Sequence, residues 1–202
     1  NLSDHGRKGH LMQIGILAVQ GAFAEHEKVL EQLNIPYVEL RKAEDLDTPY
    51  DGLIFPGGES TVQGKLLKEL GMFDKIHAQL LEGMPVLATC AGMILLASSL
   101  DNDTHHYFGT LPVSVKRNAY GRQLGSFHTV SECKGLGDIP MTFIRAPYVS
   151  SVDDSVDVLS VVDSHIVAVQ YENQLAMSFH PELDDDLRIH QRFLELVQNH
   201  AS

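Results

Sequence analysis

Short apolar runs alternate with amphipathic stretches through the first half of this chain, and that alternation restricts the fold more than any other feature. The runs at residues 14–19, 37–40, 52–55 and 85–89 have the length of buried strands. Between them the spacing of apolar residues predicts helices over 23–33, 60–70 and 72–81, and a strongly apolar one over 91–100. Phe23, Val29, Leu30 and Leu33 mark the buried face of the first. Strands separated by helices require crossovers, and crossovers place helices on both faces of a parallel sheet.

The second half changes character. Residues 113–117, 123–130, 141–145, 156–162, 166–171 and 175–179 read as strands, with Glu172-Asn173 as a hairpin turn between two of them. A last helix is expected over 184–199, its acidic start favoured by the helix dipole. With no linker, repeat or low-complexity tract, the expectation is one α/β domain over residues 12–202, with some antiparallel strands. Residues 1–11 are polar and lack the apolar middle of a secretion signal. They read as a disordered leader or expression remnant, with Met12 as the native start.

Composition removes several classes of function. A net charge of −12 with no Lys/Arg stripe disfavours nucleic acid. No stretch approaches the roughly 20 apolar residues of a membrane span. Two cysteines make neither a secreted disulfide framework nor a four-thiolate zinc site. The expected compartment is the cytoplasm.

The segment from Met84 to Leu96 is the most informative for chemistry. A buried strand runs into a buried helix with almost nothing between them, so the turn at Cys90 must be sharp. Ala88, Ala91 and Gly92 are small enough to allow it. Such a turn holds a nucleophile above the carboxyl edge of the sheet. A thiol there meets the positive end of a helix, which favours the thiolate over a free thiol of pKa about 8.5. The N–H of Ala91 would face a developing oxyanion. The competing reading is a small buried hydrophobe. Cys133, among turn residues, has no comparable setting and is expected to be incidental.

Ser178-Phe179-His180-Pro181-Glu182 follows a strand and precedes the last helix. Pro181 pushes His180 toward an extended conformation. Glu182, two residues on, then projects to the same side and holds the ring while the other nitrogen exchanges a proton with Cys90. His26, His77 and His190 fall in helical patterns and His105 and His106 in a polar loop, so packing or surface roles are expected for them. No metal-ligand spacing is present. Phe55-Pro56-Gly57-Gly58-Glu59-Ser60-Thr61 ends a strand and opens a helix, and its glycines can aim backbone N–H groups into a pocket. It lacks the spaced glycines and Gly-Lys-Ser/Thr ending of a phosphate loop.

In chain order, the glycine turn, the Cys90 elbow and His180-x-Glu182 resemble the class I glutamine amidotransferases. The finer likeness is to the glutaminase subunits of pyridoxal 5′-phosphate synthases. It is carried by Pro56-Gly57-Gly58-Glu59-Ser60-Thr61, Thr89-Cys90-Ala91-Gly92, Arg117-Asn118-Ala119-Tyr120-Gly121-Arg122-Gln123, Phe143-Ile144-Arg145-Ala146-Pro147 and Phe179-His180-Pro181-Glu182-Leu183. The likeness runs from about Met12 to near the end. One departure is Ala88, where a glycine is usual.

The resemblance implies a flavodoxin-like fold and a Cys90–His180–Glu182 triad acting without a cofactor or metal. It implies L-glutamine held around Gly58, Glu59 and Ser60, by Arg117, and at Ile144 and Arg145, with oxyanion N–H groups from Gly58 and Ala91. Without it, Arg117 and Arg145 read as solvated strand-end charges. It also implies a separate (β/α)₈ synthase subunit, in a multi-subunit complex, that receives the ammonia. The rival readings are a glutaminase serving another synthase, such as one forming imidazole glycerol phosphate, and a regulatory subunit without turnover. A cysteine peptidase or thiol-redox protein is a weaker reading, since redox work usually uses a second nearby cysteine.

Overall fold

The computed structural model describes residues 12–117 and 126–201. Residues 1–11, residues 118–123 of the arginine motif and the start of the strand expected at 123–130 lie outside them. The chain runs β1 (Ile14–Leu17), α1 (Ala24–Gln32), β2 (Tyr37–Leu40), a 3-10 turn (Ala43–Asp47), β3 (Gly52–Phe55), α2 (Ser60–Glu69), α3 (Phe73–Leu81), β4 (Val86–Thr89) and α4 (Ala91–Leu96). There follow β5 (Ala97–Leu100), β6 (Leu111–Lys116), β7 (Ser126–Cys133), β8 (Gly137–Ile144), β9 (Tyr148–Val152), β10 (Asp157–Val162), β11 (His165–Tyr171) and β12 (Gln174–Met177). A 3-10 turn (Pro181–Leu183) and α5 (Arg188–Ala201) complete it.

The central sheet has the order β2-β1-β3-β4-β12-β11-β9-β6-β5, with β10 pairing β11 beside this path. The pairs on the first side are parallel, and β12 continues this by lying parallel to β4. From β12 onward β11, β9 and β10 pair antiparallel. This is the expected α/β, flavodoxin-like arrangement of a mostly parallel sheet with antiparallel additions. β7 and β8 form a separate two-stranded ribbon in register from Ser126↔Ile144 to Cys133↔Gly137.

The central strands are apolar throughout because both faces are covered. Leu17, Leu53, Phe55, Val86 and Ala88 point into one core with Leu67 of α2, Ile76 and Leu80 of α3, and Met93 of α4. Their neighbours Ile14, Ile16, Ile54 and Leu87 point into the other, with Leu30 of α1, Ile189, Phe193 and Val197 of α5, and Ile139, Met141 and Phe143 of the ribbon. The alternation along each strand assigns successive residues to opposite cores. Gly52 makes the close approach of α5 possible, since a Cβ there would lie 2.7 Å from Val197 and 3.0 Å from Phe193.

The structure corrects several expected boundaries. The helix predicted over 91–100 stops at Leu96, and Ala97–Leu100 is a strand parallel to β6. Its serines decide the change: the Ser98 hydroxyl donates to the Val113 carbonyl at 3.0 Å, and Ser99 bonds Ser114. Such hydroxyls compete with helical backbone bonding. The last helix begins at Arg188 rather than Asp184. Asp184 is held away by Thr142 and His128, and the Asp186 carboxylate accepts the Arg188 N–H. β9 has no clear period in the sequence and forms because both its edges find partners, β6 and β11. Cys133 ends a strand and is fully buried, with burial pushing its thiol pKa up.

Phe193 is fully buried beneath the sheet. Phe193→Ala is expected to cost about 3–5 kcal/mol of stability through lost burial and a residual cavity, read as a lower urea midpoint with an unchanged slope.

Candidate active site

Adjacent strands β3, β4 and β12 are parallel, so their carboxyl ends open at the same edge. β3 releases Gly57 and Gly58, β4 releases Cys90, and β12 leads to His180. These residues line a cleft of about 560 Å³ together with Glu59, Ser60, Ala91, Arg117, Ile144 and Arg145. Each site residue singled out in the sequence, apart from Glu182, therefore faces one cavity. Glu182 lies behind it, with a side chain only 1% exposed. Ligand crevices of open α/β sheets form at such strand ends.

Cys90 sits at φ 51° and ψ −108°, a backbone conformation that an L-residue rarely adopts. Positions of this kind cost on the order of 1–3 kcal/mol and persist only where the surroundings impose them. The Cys90 N–H donates to the Met177 carbonyl at 2.8 Å, tying the elbow to β12. Gly92 lets α4 press against β3, since a Cβ there would meet the Phe55 carbonyl oxygen at 2.2 Å. The Sγ of Cys90 lies 3.9 Å from the Ile144 carbonyl, a weak contact. Because α4 ends at Leu96, its dipole acts over fewer turns than a helix to Leu100 would supply.

His180 approaches from β12, its N–H donating to the Thr142 carbonyl of β8 at 2.8 Å. On one side its ring shares the cleft with Cys90, whose sulfur is close enough to raise the ring's pKa. On the other, Nδ1 lies 2.7 Å from Glu182 Oε1. The contact with Glu182 does not arise from an extended dipeptide. Pro181–Leu183 forms a 3-10 turn that folds the carboxylate back beneath the ring. Burial alone would lower the His180 pKa, but the bonds to Cys90 and Glu182 and their negative charges outweigh it and raise the pKa to about 10. Burial pushes Glu182 up, against the pull of the His180 bond and charge. The state this favours at neutral pH is an imidazolium between the sulfur and the carboxylate.

The glycine turn is shaped by its neighbours. A Cβ on Gly57 would lie 2.4 Å from His180 Cε1, so the ring rests against bare backbone. Gly58 has φ 156°, and the following Glu59 N–H donates to Gln20 Oε1 at 2.9 Å. The Ala22 N–H donates to the Gly57 carbonyl at 3.0 Å, and Gln63 Nε2 donates to the carbonyls of Gln20 and Pro56. The turn after β1 thus braces the turn after β3. Arg145, at φ 47°, is a second strained position on the cleft wall. The Arg117 guanidinium donates to the Tyr107 hydroxyl at 3.1 Å and lies near Asp103. Tyr107 fits because Gly64 leaves its ring space.

Sequence reasoning missed Gln20, Ala22, Ile94 and Pro147 as cleft-lining residues. For His26 and His190 packing or surface roles were expected, and both are fully buried behind Glu182. Their helical spacing carried the signal, since each lies on the buried face of its helix with Val29 and Leu30 or with Phe193 and Val197. Among the described residues no His/Cys/Asp/Glu group is arranged to hold a metal ion, and no helix is long and apolar enough to cross a membrane.

Comparisons with known proteins fit this geometry. Residues 16–199 match the SNO glutamine amidotransferase family. The pyridoxal 5′-phosphate synthase subunit PdxT of Desulfitobacterium hafniense is 57% identical over 95% of this chain and 96% of its own. The protein of the same name from Streptococcus pneumoniae is 54% identical over 93% of this chain and 98% of its own. A crystal structure of a glutamine amidotransferase superposes with a TM-score of 0.86 at 42% identity, covering 91% of this chain and 98% of that one. A glutamine amidotransferase from Thermotoga maritima, 16% identical, shares the fold with a TM-score of 0.61 over 95% of this chain and 84% of its own.

Two measurements probe this site. Gly57→Ala should displace the His180 ring and reduce turnover about a hundredfold, while the thermal midpoint, read by circular dichroism, moves little. The charge on His180 also predicts a pH signature. Its folded pKa, about 10, lies above the unfolded value near 6.5. Its stabilisation is therefore complete below about pH 6.5, declines as pH rises, and is gone above about pH 10. The difference in melting temperature between wild type and His180→Asn should shrink across that window.

Proposed function

The chain belongs to the SNO glutamine amidotransferase family, and on that ground we propose that it is the glutaminase subunit of a pyridoxal 5′-phosphate synthase, releasing ammonia from L-glutamine. The observation that supports this best is the buried Cys90–His180–Glu182 alignment at the carboxyl edge of β3, β4 and β12. Residues 12–202 act as one glutaminase domain. The second partner is a (β/α)₈ synthase subunit that takes up the ammonia within a larger complex, in the cytoplasm.

The chemistry follows from the site. Glutamine lies in the cleft with its α-carboxylate on Arg117, whose planar fork suits bidentate binding. Gly58, Glu59, Ser60, Ile144 and Arg145 surround the rest. The Cys90 thiolate attacks the side-chain carbonyl carbon, forming a C–S bond and a tetrahedral oxyanion. N–H groups of Gly58 and Ala91 stabilise the negative oxygen, a donor pair of the kind worth about 10²–10³ in rate per member. The His180 imidazolium gives its proton to the amide nitrogen, the C–N bond breaks, and ammonia leaves. Neutral His180 then takes a proton from water as that water attacks the thioester. The C–S bond breaks, glutamate departs and Cys90 is restored as thiolate beside the imidazolium. Glu182 keeps the proton-bearing Nδ1 turned away from the sulfur throughout.

The test is glutamate release measured with and without the synthase subunit. Release in its presence, abolished by Cys90→Ala, is the expected result. An electrophilic glutamine analogue should likewise label wild type and leave Cys90→Ala unmodified. Absence of both turnover and labelling with the synthase present would favour a regulatory subunit.

A further inference from the structure

Behind the carboxylate of Glu182 lies a run of buried polar groups that the reaction above does not use. Glu182 Oε1 is occupied by His180, but Oε2 is buried and makes no well-aligned hydrogen bond. His26 Nε2 of α1 lies 3.3 Å from it. The same nitrogen is 3.4 Å from Thr89 Oγ1, at the end of β4 next to Cys90. On its far side His26 Nδ1 is 2.9 Å from His190 Nε2 of α5. His26, Thr89 and His190 are all 0% exposed, so bulk solvent does not reach any of them.

The protonation of this run is fixed by elimination. Burial first, then the charges of His190 and His180, hold His26 well below the ordinary histidine pKa, and burial pushes His190 down to about 4. Both rings are neutral and each carries one N–H. If His26 carried it on Nδ1, its Nε2 lone pair would face the Glu182 carboxylate in a dry site. The alternative tautomer avoids that repulsion. His190 Nε2–H donates to His26 Nδ1, and His26 Nε2–H points toward Glu182 Oε2 and Thr89 Oγ1. His190 Nδ1 is then left as a buried acceptor without a partner. An orphaned acceptor is tolerated better than an orphaned N–H.

We infer that His26 is a positioning residue of the active site: held in one tautomer by His190, it presents its Nε2–H to Glu182, fixes the carboxylate, and through it aims His180 at Cys90. The inference rests on the glutaminase reading above. It makes the site depend on how α1 and α5 pack, since each helix supplies one ring of the relay. The role is confined to orientation, because neither ring touches the cleft. Loss of His26 removes the 3.3 Å contact at Oε2 and frees the carboxylate to rotate, while the substrate-binding wall at Gly58, Arg117 and Arg145 stays in place.

The experiment compares wild type, His26→Phe, His26→Gln, His190→Phe and Cys90→Ala, each with the synthase subunit and each checked for its thermal midpoint. His26→Phe should lower kcat for glutamate release about ten- to a hundredfold, the scale on which supporting hydrogen-bond partners act, with KM within about twofold. His26→Gln, whose amide N–H can take the place of Nε2–H, should recover most of the loss. A folded His26→Phe with wild-type kcat, or a His26→Gln no better than His26→Phe, overturns the proposal. If His26→Phe does not fold, His190→Phe decides: a several-fold lower kcat at unchanged KM supports the relay, and an unchanged kcat refutes it. Glutamate release that is absent in wild type, or that survives Cys90→Ala, would instead refute the underlying glutaminase reading.

Discussion

The parallel pairing of β4 with β3 on one side and β12 on the other governs this molecule's chemistry. In register, Ala88 of β4 lies between Phe55 and Ala176, so the segments leaving β3 and β12 each lie one strand spacing from the elbow of β4. A spacing of about 4.8 Å between neighbouring strands is close to the reach needed for a sulfur, an imidazole and a backbone amide to surround one carbon. Moving β12 one place along the sheet would carry His180 a further strand spacing away from Cys90. The strained backbone at Cys90 is sustained by this arrangement, because its N–H completes the bonding to Met177.

The electrostatics of the site depend on exclusion of water behind it and access in front. Cys90 and His180 face the cleft, while Glu182, His26, Thr89 and His190 are sealed between α1, α5 and the sheet. A carboxylate in such a setting is costly unless paired, and the His180 bond supplies the strongest pairing. Both pKa values are raised, that of Glu182 because burial outweighs the pull of His180, and that of His180 because its partners outweigh burial. Desolvation acts against both charges, and their mutual attraction keeps the imidazole protonated.

Close backbone approach is the second condition. Gly57 lies under the His180 ring, Gly92 lies against Phe55, and Gly52 admits Phe193 and Val197. Each is a place where one added methyl would move a functional or core group. Together they explain how the elbow, the glycine turn and α5 pack at close range. Ala88 is accommodated because its register partner on β12 is Ala176, another small residue.

The amino-acid sequence by itself settled the parallel α/β core, since apolar runs such as Gly52–Phe55 cannot be buried on one face alone, and it marked Cys90, His180 and Glu182 through local context. Glycines, Pro181 and strand-to-helix junctions act over a few residues, so their effect is legible along the chain. The extent of α4, the strand at Ala97–Leu100 and the β7–β8 ribbon were decided by partners far away in sequence, chiefly the hydroxyl bonds of Ser98 and Ser99 and pairing across the sheet. The same holds for His26 and His190, 164 residues apart. Helical periodicity could place each on a buried face, but only packing of α1 against α5 set both rings behind Glu182, because a hydrogen bond is specified by position in space and not by spacing along the chain.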